Sequence, residues 1–281
     1  AYEVLGLLIA RTSGQSFEAY VADHLLHPLG MHSSTFLKTE VAPDHATTPH
    51  LVLPPTIVSP EYPYNRAHAP SSTLHSSAVE LSRWAFMNLN RGMLEGQRVL
   101  SASSYDQLWH PHCPTDPDHP GESVGLSWFL QDYRGHRMIR HDGEDVGYQT
   151  DLVLLPEQGL AVTVLTNTIP GPVNALTHAI LDLLLGIEPE FPKPPVLLSL
   201  ASTLAEHGIQ AAAEEYSRIQ KTEADHYDFG PDQFLDIGYT LLEVHRYSEG
   251  LRIVQLGKQL FPDSAELENL LAKLSGPGKN R

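Results

Sequence analysis

A single cysteine, Cys113, is all the thiol that 281 residues carry, which excludes an internal disulfide framework and says nothing of redox compartment. Basic residues are scarce too: 18 Lys and Arg stand against 34 Asp and Glu, a formal net charge of −16. Such a surface repels phosphate backbones and anionic headgroups, so nucleic acid and acidic membranes are poor partners for it. No apolar run approaches the roughly 20 residues needed to span a bilayer. A secretory leader is not seen either, because the first residues, AYEVLGLLIARTSG, already have the apolar spacing of a mid-domain helix. What remains, 41% apolar and 19% charged, is the composition of a globular protein with a sizeable core.

Pro-rich GIEPEFPKPP, residues 186–195, divides the chain. Proline at that density stops helices and strands and makes a stiff linker. Residues 1–186 mix helices and strands, 187–195 form the linker, and 196–281 read as helices alone. In the first part, two helical stretches stop at Gly14 and Gly30, followed by a loop-rich stretch over 32–75. SAVELSRWAFMNLNRG opens with Ser77 and Glu80 as a capping box and sets Leu81, Trp84 and Leu89 on one side. SASSYDQLWHPH is a further short helix. Strands follow: VGLSWFLQ, with Leu126, Trp128 and Leu130 on one face, then HRMIRH as its hairpin partner. YQTDLVLLP and LAVTVLTN are joined by the turn PEQG, and the nearly all-apolar LAVTVL is expected to be covered on both faces. The closing helix places Val173, Leu176, Ile180, Leu183 and Leu184 inward and ends at Gly186.

Beyond 196, the sequence predicts a helix, a turn at 245–248, a second helix ended by Pro262, and a third capped by Asp263 or Ser264. Gly238-Tyr239 and Phe261-Pro262 match the small-aromatic pair and terminal proline of a tetratricopeptide unit. One unit is too few to stand alone, so it is expected to lean on the first part. The aromatics Tyr216, Tyr227, Phe234, Tyr239 and Tyr247 are expected in its core rather than in a peptide groove.

Chemistry concentrates at His141-Asp142-Gly143, expected to follow one strand and precede another. Gly143 would let a ligand approach the backbone, and the next amide, Glu144 N–H, could point into a cleft as half of an oxyanion hole. His141 could orient or protonate a partner near neutral pH. Taken by itself the tripeptide reads as a polar turn with a surface histidine rather than as a site. HPHCPTDPDH offers His110, His112, Cys113, Asp116, Asp118 and His119 within residues 110–119. Its prolines break the run and no established zinc spacing appears, so a hydrated loop is expected, with no metal and no cofactor. The other histidines are scattered along helices without acidic partners at ligand spacing.

Residues 1–186 resemble the penicillin-recognising serine hydrolases: class C β-lactamases, D-Ala-D-Ala carboxypeptidases and related esterases and aminopeptidases. Four segments carry the resemblance in order. YEVLGLLIARTSGQSFEAYVADHLLHPLGMHSSTF is similar to the family's helix pair with its Pro-Leu-Gly-Met turn. APSSTLHSSAVELSRWA is similar to its Pro-Ala-Gly-Gly-Leu segment, with Ser71-Ser72 in place of the glycines. His141-x-Gly143 resembles its third motif, and LVLLPEQGLAVTVLTN the strand pair after it. The resemblance implies an α/β fold of the α+β type, an antiparallel sheet flanked by helices as in β-lactamases and transpeptidases, with a small all-α appendix. It implies that His141 helps position the substrate carboxylate and the proton network, that Glu144 N–H is an oxyanion donor, and that Asn167 lies at the substrate rim. A strand-end cap serves equally for Asn167.

The same resemblance exposes two gaps. The family's nucleophile motif, Ser-x-x-Lys, is missing; Thr35-Phe36-Leu37-Lys38 follows the Pro-Leu-Gly-Met turn, out of family order, and reads as accidental. Tyr-x-Asn, expected just before Ala1, is missing too. Asp142, where a small residue is usual, disfavours a substrate carboxylate. The expectation is therefore the C-terminal part of a serine hydrolase acting on an ester, amide or β-lactam, inactive as it stands. A small-molecule or peptide-like substrate and an N-terminal complementary segment are its expected partners; the sequence does not fix the compartment, a periplasmic or secreted parent being one reading. The alternative is a non-catalytic binding or scaffolding protein that retains the fold.

Overall fold

The computed structural model describes residues 1–52, 56–115 and 121–275. Helix α1 (Tyr2–Ser13) ends where Gly14 takes a φ of 76° and its N–H returns to the Ala10 carbonyl, a left-handed cap that costs glycine little. Ser16 caps α2 (Phe17–Val21) by accepting the Ala19 N–H, and the helix runs on as a π-turn through Ala22–Leu26. Next come the short strands β1 (His50–Leu51) and β2 (Ile57–Val58) and the single-turn α3 (Ala69–Ser72). Ser77 caps α4 (Ala78–Leu89) by accepting the Glu80 N–H. The Glu80 carboxylate does not close a capping box: it accepts instead from Ser33 N–H at 2.9 Å and Ser34 Oγ at 2.6 Å, tying α4 to the turn after α2. A small hairpin, β3 (Met93–Leu94) and β4 (Gln97–Arg98), leads to α5 (Ser104–Leu108).

The main sheet is antiparallel throughout. It comprises β5 (Cys113–Pro114), β6 (Ser123–Val124), β7 (Phe129–Tyr133), β8 (His136–Asp145), β9 (Tyr148–Leu155) and β10 (Leu160–Thr166), in spatial order β10-β9-β8-β7-β6-β5. Alternation along the strands divides the core in two. Ile139 and Leu154 face Leu29, Met31, Met87 and Tyr105. Met138, Val153, Leu155 and Val162 face Leu181 of α6 (Val173–Leu184). This is the mixed architecture, an antiparallel sheet between helices, that the strand and helix patterns imply.

Three further local expectations fail. Leu126 is not a strand residue: Ser127 takes a φ of 65°, the strand begins at Phe129, and only Trp128 and Leu130 are buried. His141-Asp142-Gly143 lies within β8 rather than between strands. On α6, Val173, Thr177 and Leu181 point inward while Leu176, Ile180, Leu183 and Leu184 are exposed. The helix has two apolar stripes, and the periodicity picked the outer one.

After residues 187–195, which have no regular structure, come α7 (Val196–Thr222), broken at Gly208 where φ is 83°, then α8 (Asp232–Glu243), α9 (Tyr247–Leu260) and α10 (Ala265–Leu274). Ser264 caps α10 by accepting the Leu267 N–H. Gly238 lets α8 and α9 approach: a Cβ there would stand 2.6 Å from Val254 Cγ2. Tyr216 and Phe234 are buried in this bundle, whereas Tyr239 is exposed. The bundle does not close on itself. Its core continues into Leu51 of β1 and Ile169 of β11 (Thr168–Ile169), a strand that pairs in parallel with β1.

Candidate functional site

Two hairpin registers fix what the candidate strand presents. β7 pairs with β8 only from Tyr133↔His136 to Phe129↔Arg140, whereas β9 accompanies β8 to its end at Asp145↔Tyr148. Residues 141–145 therefore have a partner on one side only. In an antiparallel pair, hydrogen-bonded and non-bonded positions alternate, and a two-residue loop is closed by a bonded pair. Counting from Asp145↔Tyr148 makes Gly143 and His141 bonded to β9, so the N–H groups of Asp142 and Glu144 face away from it. Counting from Tyr133↔His136 gives the same parity, with Arg140 bonded to β7. Glu144 N–H thus lies on the unpaired edge, available to an incoming acceptor.

The side chains around that edge are held differently. His141 is exposed and packs beside Phe129, ring centroids 5.6 Å apart. Gly143 is there for room, since a Cβ would meet Thr150 Oγ1 at 2.8 Å. Asp142 pairs with Arg140 (3.2 Å), which also reaches Asp151 at 3.8 Å and Glu122 at 3.9 Å. Asp151, directly across from Asp142, is 1% exposed with no hydrogen bond to either carboxylate oxygen. Burial pushes its pKa above the usual carboxylate range, and Arg140 opposes that only in part. Glu144 Oε2 accepts from Gln149 Nε2 at 2.8 Å.

Asn167 stands apart from this group. The register Thr166↔Gln149↔Glu144 puts it at the same end of the sheet but two strands away, roughly 10 Å. Its Nδ2 donates to the Thr48 carbonyl at 2.8 Å, and its carbonyl accepts the His50 N–H, so it secures the loop entering β1. The same loop region is pinned by Tyr62, whose hydroxyl lies 2.9 Å from His75 Nε2, with His75 Nδ1 held on the Thr73 carbonyl. In the Thr35–Lys38 segment, Thr35 Oγ1 donates to Glu40 and Lys38 Nζ sits over the Tyr62 ring, an arrangement with no nucleophile–base contact. Of residues 110–119, His110, His112 and Cys113 are exposed, while Asp116, Asp118 and His119 lie outside the described residues. Among the described residues no group of three His, Cys, Asp or Glu side chains could hold a metal ion, and no helix is long and apolar enough to cross a membrane.

One neighbour of the site was not foreseeable from the motifs. Helix α8 stands across the end of β8 and leaves a cleft of about 240 Å³ between Glu144, Gln149 and Pro170 on one side and Asp236, Tyr239 and Glu243 on the other. The only signal in the sequence is the spacing of Asp236, Tyr239 and Glu243 on one helical face; nothing local says what that face meets.

The comparisons with known proteins agree with this frame. Residues 1–186 match the Beta-lactamase family. Penicillin-binding protein 4 of Amycolatopsis lactamdurans is 29% identical over 172 residues, covering 59% of this chain and 45% of that protein. Protein flp of Staphylococcus aureus (strain MW2) is 25% identical over 166 residues, covering 59% of this chain and 32% of its own length. The chain thus spans less than half the length of these curated relatives. Among solved structures, the octameric penicillin-binding protein homologue from Pyrococcus abyssi superposes with a TM-score of 0.60 at 25% identity, over 73% of this chain and 45% of that one. The D-amino acid amidase from Ochrobactrum anthropi SV3 shares the fold at a TM-score of 0.51 and 18% identity, over 60% and 49%. With the match covering residues 1–186 and the antiparallel sheet in place, the chain belongs to the β-lactamase family of serine hydrolases and their penicillin-binding relatives.

Proposed function

We propose that these residues form the substrate-side part of a serine hydrolase that cleaves an ester, amide or β-lactam through an acyl-enzyme. The observation that carries the reading is the unpaired edge of β8, where Glu144 N–H is free beside His141. A serine supplied from outside these 281 residues attacks the carbonyl carbon, giving its proton to a neighbouring base. Glu144 N–H donates to the oxyanion that develops. Collapse expels the alcohol or amine, which takes up the proton, and water then releases the acid by the same steps. His141 contributes to positioning the substrate and its proton network. The chain alone, with neither Ser-x-x-Lys nor Tyr-x-Asn, performs no acyl transfer.

Three uncovered surfaces support a missing portion of the domain. Val4, Leu5, Leu7 and Leu8 of α1 are exposed, as are Leu176, Ile180, Leu183 and Leu184 of α6. β10, LAVTVLT, is an edge strand of the sheet despite a sequence suited to its centre. Apolar faces and apolar sheet edges of this kind ask for a covering partner.

The test is intact-mass measurement after treatment with a serine-directed acylating probe. The 281-residue chain should gain no mass, and the protein extended through whatever its gene encodes before Ala1 should gain one acyl adduct. An extended protein that stays unlabelled sinks the hydrolase reading and leaves a binding protein that retains the fold.

A further inference from the structure

The unpaired edge of β8 runs straight into the cleft beneath α8. Glu144 belongs to both: its backbone N–H faces the edge, and its side chain, held by Gln149 Nε2 at 2.8 Å, lines the cleft. A ligand whose carbonyl oxygen meets that N–H therefore sits beside a residue that lines the cleft. We propose that α8 is the outer wall of the substrate cleft and that its carboxylates select substrates carrying an ammonium group over those carrying a carboxylate. The inference rests on the hydrolase reading and names the substrate class for that site.

The charged groups acting on the two α8 carboxylates have one sign. Asp236 experiences Asp232 and Glu144, and Glu243 experiences Glu144 and Asp145, with no lysine or arginine among the groups acting on either. Neither Asp236 nor Glu243 forms an ion pair among the described residues. Both side chains are exposed to the cleft, so a ligand can reach them, yet crowding by protein raises Asp236 to about 6 and Glu243 above its usual range. Tyr239, between them on α8, already accepts one cation: Lys273 Nζ lies 5.2 Å from its ring centroid.

The wall is fixed rather than swinging. Phe234, Ile237 and Leu241 of α8 are buried in the core that includes Leu51 and Ile169, so the helix is packed onto the hydrolase part. The carboxylates do not converge tightly enough to share a metal ion, and a cleft of about 240 Å³ accommodates several heavy atoms. An organic cation, attached to the substrate, is the occupant that fits both facts. A substrate carboxylate there would meet the like charge of Asp236 and Glu243.

The experiment is equilibrium titration of the full chain with one amino-acid anilide in three forms: free ammonium, N-acetyl and N-succinyl. The ammonium form should bind about tenfold more tightly than the acetyl form, with the succinyl form weakest. In Asp236→Asn/Glu243→Gln the three should fall within about twofold of one another. Glu243→Lys, a single exposed change, should reverse the order of the charged forms. As the pH falls through about 6, Asp236 takes up a proton and the wild-type preference should shrink, the ammonium group staying charged. Equal binding of the three forms, no detectable binding of the ammonium form, or a preference surviving in the double variant overturns the proposal. The titration needs no nucleophile, so its failure is separate from an absence of covalent labelling, which alone decides the hydrolase reading.

Discussion

Gly143 and Asp151 sit on neighbouring strands and are constrained in opposite ways, one by space and one by charge. A methyl group at 143 would stand 2.8 Å from Thr150 Oγ1. Gly143→Ala should therefore destabilise by about 1–3 kcal/mol, and Thr150→Ala in the same chain should recover most of that, as read by urea unfolding. Asp151 gives a pH signature. Its folded pKa is raised above the ordinary 3.8, so the folded state holds a proton that the unfolded chain has already released. Stability then falls as the pH rises from near 3.8 through the raised value and stays lower above it. Asp151→Asn should flatten that slope while leaving the rest of the pH profile in place; unfolding midpoints measured across the acid range decide it. A slope unchanged in the variant would assign the pH dependence to other carboxylates.

At the scale of elements, the two stripes of α6 make a direct comparison. Leu181 is fully buried against Val153, Leu155 and Val162, and Leu181→Ala should cost about 2–5 kcal/mol. Leu183→Gln with Leu184→Gln, on the exposed side, should change stability by less than about 0.5 kcal/mol each, yet reduce self-association in light scattering. The contrast shows which signals a sequence carries. Caps and turns are local, so Gly14, Ser77 and the Pro156–Gly159 turn could be placed from a few neighbouring residues, and the α10 cap narrowed to Asp263 or Ser264. The pairings of β7 with β8 and of β9 with β10 followed from alternation and short loops, whereas the run of β8 through 141–145 along β9 did not. Periodicity could not say which of two apolar stripes on α6 met the sheet, because both have helical spacing and only the partner distinguishes them. The motif singled out His141, Gly143 and Glu144 as candidates, and the register sets them on one unpaired edge. No motif could single out Asp236 and Glu243, because the cleft they line depends on where α8 docks, and that is set by Leu51 and Ile169 more than a hundred residues apart.

For the molecule as a whole, the core shared between the β-lactamase-family part and the bundle predicts coupled unfolding. All three tryptophans, Trp84, Trp109 and Trp128, lie in the first part, while α7–α10 supply much of the helical signal. Tryptophan fluorescence and far-ultraviolet circular dichroism should therefore report one midpoint. Ile169→Ala, which removes a buried contact between the two parts, should lower both signals together, by about 2–5 kcal/mol. Midpoints that separate in the wild-type chain would mean that the bundle stands without its seat. The seat itself has a timetable. β1 and β11 pair in parallel across most of the first part of the chain, His50↔Thr168 and Leu51↔Ile169, so it exists only after residue 169 has been synthesised. The helix that walls the cleft is encoded later still, at Asp232–Glu243. At about 5–20 residues per second on the ribosome, the strand edge is made first and remains open for several seconds before its acidic wall arrives.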